Sequence, residues 1–380
     1  MNSSKTALLI ILSAAMMFPS YRMIYPQKTG DDEKKKLEEM EREIADIKKR
    51  LDDVEDKTEK SSDRYKLKVS GFFDMNMSNY REKPNVFEIG TFEIQMLHEY
   101  PQNIFVAAAL VFNKKGASLG VGIIDYHLFG STISPRGKLF HEKGIHLQVG
   151  KFDVPFGNDW QYFSDADRIT VTPPLTTEKI MNGGYNDVGS RLIVNMVWFN
   201  SSIHVLRGID QGYSYGGNSI GGRIGLTPLN DPYSLSQKAY PLELGFSYLH
   251  DLDKQGATAE KLFAGDLDVR KSRFLLLSEY YRRDKIIGMR YTGTTATTGF
   301  DIKEISTVVY SRYDIVRSER YKAVMQDGTL SRVSCGFRYS IHDIAYVKAE
   351  YSHYIKRTGI ADDDEYFTKN LYYLQLMVRF

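Results

Sequence analysis

From about Tyr65 onward, apolar and polar residues alternate with a period of two. In the first such run Leu67, Val69, Gly71, Phe73 and Met75 stand against Lys66, Lys68, Ser70, Asp74 and Asn76. The rhythm returns over 188–198 and 333–341, and further runs centre on 105–112, 119–128, 145–149, 220–226, 242–248, 274–280 and 345–351. Successive side chains of a strand point to opposite faces, so each run predicts a strand with one apolar and one polar side. The last run sets Tyr372, Leu374, Leu376, Val378 and Phe380 against Tyr373, Gln375, Met377 and Arg379.

Ahead of the strands the pattern is different. Residues 7–18 (ALLIILSAAMMF) form a 12-residue apolar stretch behind Lys5. That is too short to span a bilayer and suits the apolar region of a signal peptide, placed at 1–25; a buried N-terminal helix is the other reading. Over 26–64 the composition turns to charge, and Leu37, Met40, Ile44, Ile47, Leu51 and Val54 recur at spacings of 3, 4, 3, 4 and 3. This is the a/d seam of a coiled coil, with a lone amphipathic helix as the alternative. Lys36 with Glu41, Glu43 with Lys48 and Arg50 with Glu55 are of opposite sign at the flanking positions. Isoleucine at both Ile44 and Ile47 favours three parallel strands, so a homotrimer is expected.

A soluble sandwich would alternate as well, so the content of the polar face decides the direction. That face carries many charged residues, and the final strand ends on an aromatic. Both point to a barrel whose apolar side meets lipid and whose closed sheet leaves no unpaired backbone. The expected fold is all-β: a transmembrane antiparallel β-barrel over 65–380, preceded by a short coiled-coil helix. At about 20 residues per strand and connection, the barrel has about 16 strands and encloses a water-filled lumen. Tyr80, Tyr100, Tyr126, Tyr248, Tyr351 and Tyr372 fall where interfacial girdles would lie. Composition agrees: 26 tyrosines, 20 phenylalanines and 30 glycines accompany 11 prolines. With only one long apolar run, a bundle of membrane helices is excluded. Cys335 is the single cysteine, so neither an internal disulfide nor a thiolate metal cage can form.

The runs GKFDVPFG (150–157), SDADR (164–168) and GGYNDVG (183–189) resemble Gram-negative outer-membrane porins related to the phosphate- and polyphosphate-selective type. The resemblance implies a trimer of 16-stranded barrels in the bacterial outer membrane, with short periplasmic turns and longer outer loops. No dense arginine ladder or lysine cluster is present, so no phosphate-site residue is carried over.

Two features bear on selectivity. The stretch 152–185 is long for a barrel connection, and its aromatic content favours packing. It is expected to fold into the lumen with Asp165, Asp167 and Arg168 at the constriction; an outer loop packed on the rim or a neighbouring subunit is the alternative. Charge is also unevenly divided, with 17 Lys and Arg against 9 Asp and Glu over 270–357, but 18 against 21 over 65–269. By strand parity Arg191, Arg223, Arg273, Arg312, Arg332, Arg338, Lys348 and Arg379 can point inward, where a low-dielectric wall focuses their field on anions. Rim positions, or pairing with Glu279, Asp314 and Glu350, would cancel that field.

The expected function is a water-filled channel for passive diffusion of small hydrophilic solutes with a preference for anions, phosphate being one candidate, without catalysis or cofactor; small anionic or neutral solutes are its expected partners. The eight histidines show no metal-ligand spacing, so no metal is expected. A barrel enzyme is one alternative, weakened because the adjacent Ser352 and His353 point to opposite faces. An anchor whose coiled coil binds cell wall or a periplasmic partner is the other. Outer-membrane lipid is an expected partner and nucleic acid is not.

Overall fold

The computed structural model describes residues 67–380 apart from 80–85, 101, 131–135, 137–142, 160–163, 182, 209–215, 230–240, 254–257, 286–287, 321–327 and 359–369. Residues 1–66 lie outside the described residues, and with them the expected signal segment and the heptad residues Leu37 to Val54.

The two-residue rhythm becomes sixteen strands: β1 (Lys68–Ser78), β2 (Val86–Tyr100), β3 (Ile104–Asn113), β4 (Gly116–Phe129), β5 (Gly144–Asp153), β6 (Asn186–Asn195), β7 (Phe199–Leu206) and β8 (Gly216–Leu226), then β9 (Leu242–Asp253), β10 (Thr258–Lys271), β11 (Phe274–Lys285), β12 (Met289–Ile302), β13 (Thr307–Arg320), β14 (Gly328–His342), β15 (Ala345–Thr358) and β16 (Asn370–Arg379). Each pairs antiparallel with its sequence neighbours, and β16 pairs back onto β1, so the sheet is a closed barrel. Phe380 takes part in that closure. Its N–H donates to the Gly71 carbonyl at 3.1 Å and its own carbonyl accepts from the Gly71 N–H at 3.0 Å.

Alternation then sorts the side chains. Ile124, Leu147, Ile203, Phe246, Val333 and Leu376 are exposed on the outer surface, while Arg223, Glu243, Arg312, Asp314 and Glu350 are buried inside. That inversion is destabilising in water and favourable in lipid, which accepts an apolar belt and rejects unpaired backbone. Aromatics gather on the outer face: Phe92 lies 5.7 Å from Phe112, 6.0 Å from Phe380 and 6.5 Å from Phe73, ring centre to ring centre. Tyr351 and Tyr372 pair at 5.1 Å on β15 and β16. Cys335 is exposed on the outer face of β14.

The interior is not polar throughout. Phe105, Ala107 and Ala109 of β3, with Val121 and Ile123 of β4, form an apolar strip of inner wall. It belongs to one buried cluster with Phe152, Val154, Phe156, Leu175 and Ile180. Most of those last residues lie on the connection 154–185 between β5 and β6, which therefore packs against the inside of the barrel.

Candidate functional site: the segment inside the barrel

The segment leaves β5 beside its own return, with the Val154 N–H donating to the Tyr185 carbonyl at 2.9 Å. It then crosses to the opposite wall. Gly157 donates its N–H to Ser247 Oγ of β9 at 3.0 Å. The N–H groups of Asn158 and Asp159 both donate to Glu279 Oε1 of β11. Two consecutive amides thus converge on one buried side-chain oxygen and tie this turn to β11. Gly157 has φ +70°, and a Cβ there would lie 2.0 Å from Tyr281 Oη, so backbone conformation and close approach both require glycine.

Further along, Thr172 is held on both sides. Its N–H and that of Val171 donate to Glu350 Oε2 at 3.2 and 3.0 Å, and its hydroxyl donates to Glu350 Oε1. Residues Thr176–Ile180 form a single turn of π-helix, closed by the Met181 N–H donating to the Thr176 carbonyl. Such turns are often found at functional sites.

Five basic side chains of the inner wall each donate to a main-chain carbonyl of this segment. Arg283 of β11 reaches Ile180 at 2.7 Å, Arg312 of β13 reaches Thr172 at 2.7 Å, and Arg332 of β14 reaches Pro173 at 2.7 Å. Lys348 of β15 reaches Asp165 at 2.6 Å, and Arg379 of β16 reaches Ala166 at 2.5 Å. The basic second half of the chain is thus a docking ladder for a segment drawn from the acidic first half. Arg312 and Arg332 are also paired with Asp314, at 3.0 and 2.9 Å, and Arg312 with Glu350 at 3.3 Å.

The three loop residues singled out in the sequence lie in this segment. Arg168 forks onto Asp159, donating from Nε and Nη2 at 3.1 Å each, and onto Asp165 from Nη1 at 3.1 Å. Burial opposes its charge, but Asp159 and Asp165 more than compensate and hold the guanidinium pKa above its ordinary value. Asp167 accepts from Arg379 at 2.6 Å.

The remaining sequence candidates separate. Arg191 of β6 donates to Gln148 Oε1 and to the Asp153 carbonyl, both at 2.7 Å, and stacks over Phe152. Arg223 of β8 pairs with Glu243 at 2.9 Å and Asp266 at 2.6 Å. Arg338 and Arg379 lie over the buried Tyr346 ring, at 3.9 and 5.2 Å from its centre. Arg273 is a correction. Parity on β11 aimed it inward, but β10 ends at Lys271 and β11 starts at Phe274, so Arg273 occupies the turn. There it forks onto Glu304, with side chains 40% and 59% exposed. Ser352 is buried and hydrogen-bonded to Glu350 at 3.0 Å, while His353 faces Asn370 at 2.7 Å on the other side of β15.

One cluster was missed by sequence reasoning. His127 of β4 pairs with His146 of β5 across the sheet, and Asp125 pairs with Gln148 one step along. Asp125, His127 and His146 are all buried, with ligand-type atoms within 4.8 Å of one another. The two histidines are 19 positions apart, so only the strand register brings them together.

Closed, sixteen-stranded and apolar outside, the chain is built as a barrel of the bacterial outer membrane. No family model and no curated protein matches its sequence. Among solved structures it is similar to an anion-selective porin from Comamonas acidovorans, with TM-score 0.58 and 10% identity over 83% of this chain and 98% of that one. It is similar also to the outer membrane channel DcaP of Acinetobacter baumannii, with TM-score 0.57 and 10% identity over 83% and 97%. The trimer form of OmpT, an outer membrane protein of Vibrio cholerae, gives TM-score 0.57 and 13% identity over 83% and 99%. At these identities the likeness is one of fold.

Proposed function

We propose that this protein is an outer-membrane channel for passive diffusion of small hydrophilic solutes, and not an enzyme, with residues 154–185 as its constriction. The observation that carries this reading is the docking of that segment on five inward basic side chains and on Glu279 and Glu350. A segment tied to the wall at so many points narrows a wide lumen without needing mobile parts or chemistry.

Anion preference enters the proposal in a narrow form. Among the described buried residues, twelve carboxylates face eight lysines and arginines, so the wall as a whole gives anions no advantage. Around 164–168 the balance differs. Arg338 lies within electrostatic reach of Arg379 and Asp167, and Lys348 within reach of Asp165, Arg338 and Arg168. There four cations meet four carboxylates, since Asp74 also acts on Lys348 and Asp159 pairs with Arg168; the weak anion preference rests on the half-buried Arg338 and Arg379, with Asp165, Asp167 and Arg168 at its edge. Phosphate would pass as one small anion among others, and kinship with phosphate-selective porins rests on the sequence resemblance.

Conductance of the purified protein in planar bilayers tests the proposal. Discrete current steps are expected, with a reversal potential under a KCl gradient of the sign for anions, and the triple change Arg338→Gln, Lys348→Gln and Arg379→Gln should move it toward cations. Absence of steps would sink the channel; a cation-selective unaltered channel would sink the sign.

The heptads at 26–64 support a homotrimer and permit a tether to cell wall or a periplasmic partner. Ile44→Asp with Ile47→Asp should lower the trimer fraction on native gels and in ultracentrifugation. An unchanged trimer would assign assembly to the barrel walls.

A further inference from the structure

We propose that Asp125, His127 and His146 form a binding site for a divalent transition-metal ion of the zinc class on the inner wall of the barrel. The proposal stands on the wall's own geometry and not on the channel reading. Asp125 and His127 are two apart on β4, His146 and Gln148 two apart on β5, and the register sets them opposite one another as a square of four inward side chains. His127 and His146 are ring neighbours at 5.8 Å. Asp125 Oδ1 lies 3.2 Å from His146 Nδ1 and 3.9 Å from His127 Nδ1.

Those separations suit coordination. Metal bonds of about 2.0–2.1 Å to nitrogen and oxygen set tetrahedral ligand–ligand edges of about 3.3 Å. The Asp125–His146 separation already matches, the Asp125–His127 one must close by about 0.6 Å, and with all donor atoms within 4.8 Å the two imidazoles close on the ion by side-chain rotation. Two imidazoles and one carboxylate are a donor set for zinc, nickel, copper or iron(II), and too nitrogen-rich for calcium or magnesium.

The surroundings orient the carboxylate. Gln148 donates its amide to Asp125 Oδ2, which leaves Oδ1 turned toward the imidazoles. Gln148 is in turn fixed by Arg191, which donates Nε to its Oε1 at 2.7 Å. An outer layer that locks a ligand's direction is characteristic of metal sites. Three protein ligands leave a fourth position for water, so the bound ion is exchangeable. Loading adds two positive charges beside Asp125 and the Arg191 guanidinium that fixes Gln148.

The test is zinc titration of the full-length barrel, folded in detergent and stripped with EDTA, together with X-ray absorption on the zinc-loaded unaltered chain. One ion per chain is expected, with two imidazole nitrogens and a carboxylate oxygen in its first shell. Gln148→Ala should weaken binding about 10- to 100-fold, and His127→Ala and His146→Ala should weaken it further. His98→Ala and His353→Ala should leave it unchanged. A first shell without imidazole overturns the proposal, as does unchanged affinity in His127→Ala and His146→Ala barrels that keep heat-modifiable migration. Where those variants do not fold, the absorption spectrum of the unaltered chain decides.

Discussion

Replacing Arg312 by alanine should release the middle of the inner segment and raise its cleavage by trypsin at Arg168 or Lys179 on the order of 10²–10³-fold. Arg312 donates to the Thr172 carbonyl and hydroxyl, to Asp314 and to Glu350, all within the buried interior. Removing it leaves Arg332 as the one remaining arginine of the network bonded to Asp314. Breaking a buried ion pair by deleting one partner costs about 3–5 kcal/mol, and each 1.4 kcal/mol is about a factor of ten in a population ratio. When opening is fast relative to cutting, cleavage follows the open population. The barrel's backbone ladder is untouched, so heat-modifiable migration should persist while single-channel conductance rises. Arg312→Lys should be intermediate, because an ammonium cannot fork between the Thr172 and Asp314 acceptors. Thr172→Val should cost less, since it removes a hydroxyl and keeps both charges paired. Cleavage and conductance equal to the unaltered protein would show that the segment does not depend on this network.

The sequence made strands readable where one face contrasts strongly with the other, as in 67–76 and 372–380. It left β2, β7, β10, β12 and β13 unmarked; in β12, Thr292, Thr294, Thr295, Thr297 and Thr298 lie on both faces and erase the contrast. In β10 the contrast exists, with Asp266 and Asp268 buried inside, but Ala264 and Gly265 interrupt it. Length carried the strand count, since the shape of an antiparallel barrel repeats a strand and a connection. Charge was legible as composition and, at Asp314 and Glu350, as pairing with Arg312 and Arg332. The excess of arginine beyond residue 270 is plain in the sequence, yet its further partners are carbonyls at Thr172, Pro173 and Ile180. A backbone carbonyl leaves no mark in the amino-acid code. Arg273 shows the limit of parity, which holds within a strand and ends where the turn begins. The histidine pair shows the limit of spacing, because ligands on adjacent strands are related by register and not by sequence distance.

The second large effect concerns Gly157, where Gly157→Ala should detach the start of the segment from β9 and β11. Its Cβ would meet Tyr281 Oη at 2.0 Å and Cζ at 2.7 Å. Tyr281 cannot easily yield: it is buried, packs on Phe156 with ring centres 5.7 Å apart, and donates to the Phe156 carbonyl at 3.3 Å. The positive φ adds roughly 1–2 kcal/mol for any L side chain, and overpacking a tight site adds about 1–3 kcal/mol. Motion of the backbone at 157 would also strip the Asn158 and Asp159 amides from Glu279 and leave that carboxylate buried without them. The steric part is separable. In a double-mutant cycle with Tyr281→Ala, the second change makes room, so the pair should recover the overpacking share and retain the conformational one. An interaction energy of about 1–3 kcal/mol is expected from urea unfolding, in line with residues in direct contact. Strict additivity of Gly157→Ala and Tyr281→Ala would mean that the two residues do not meet, and that the segment enters the barrel by another path.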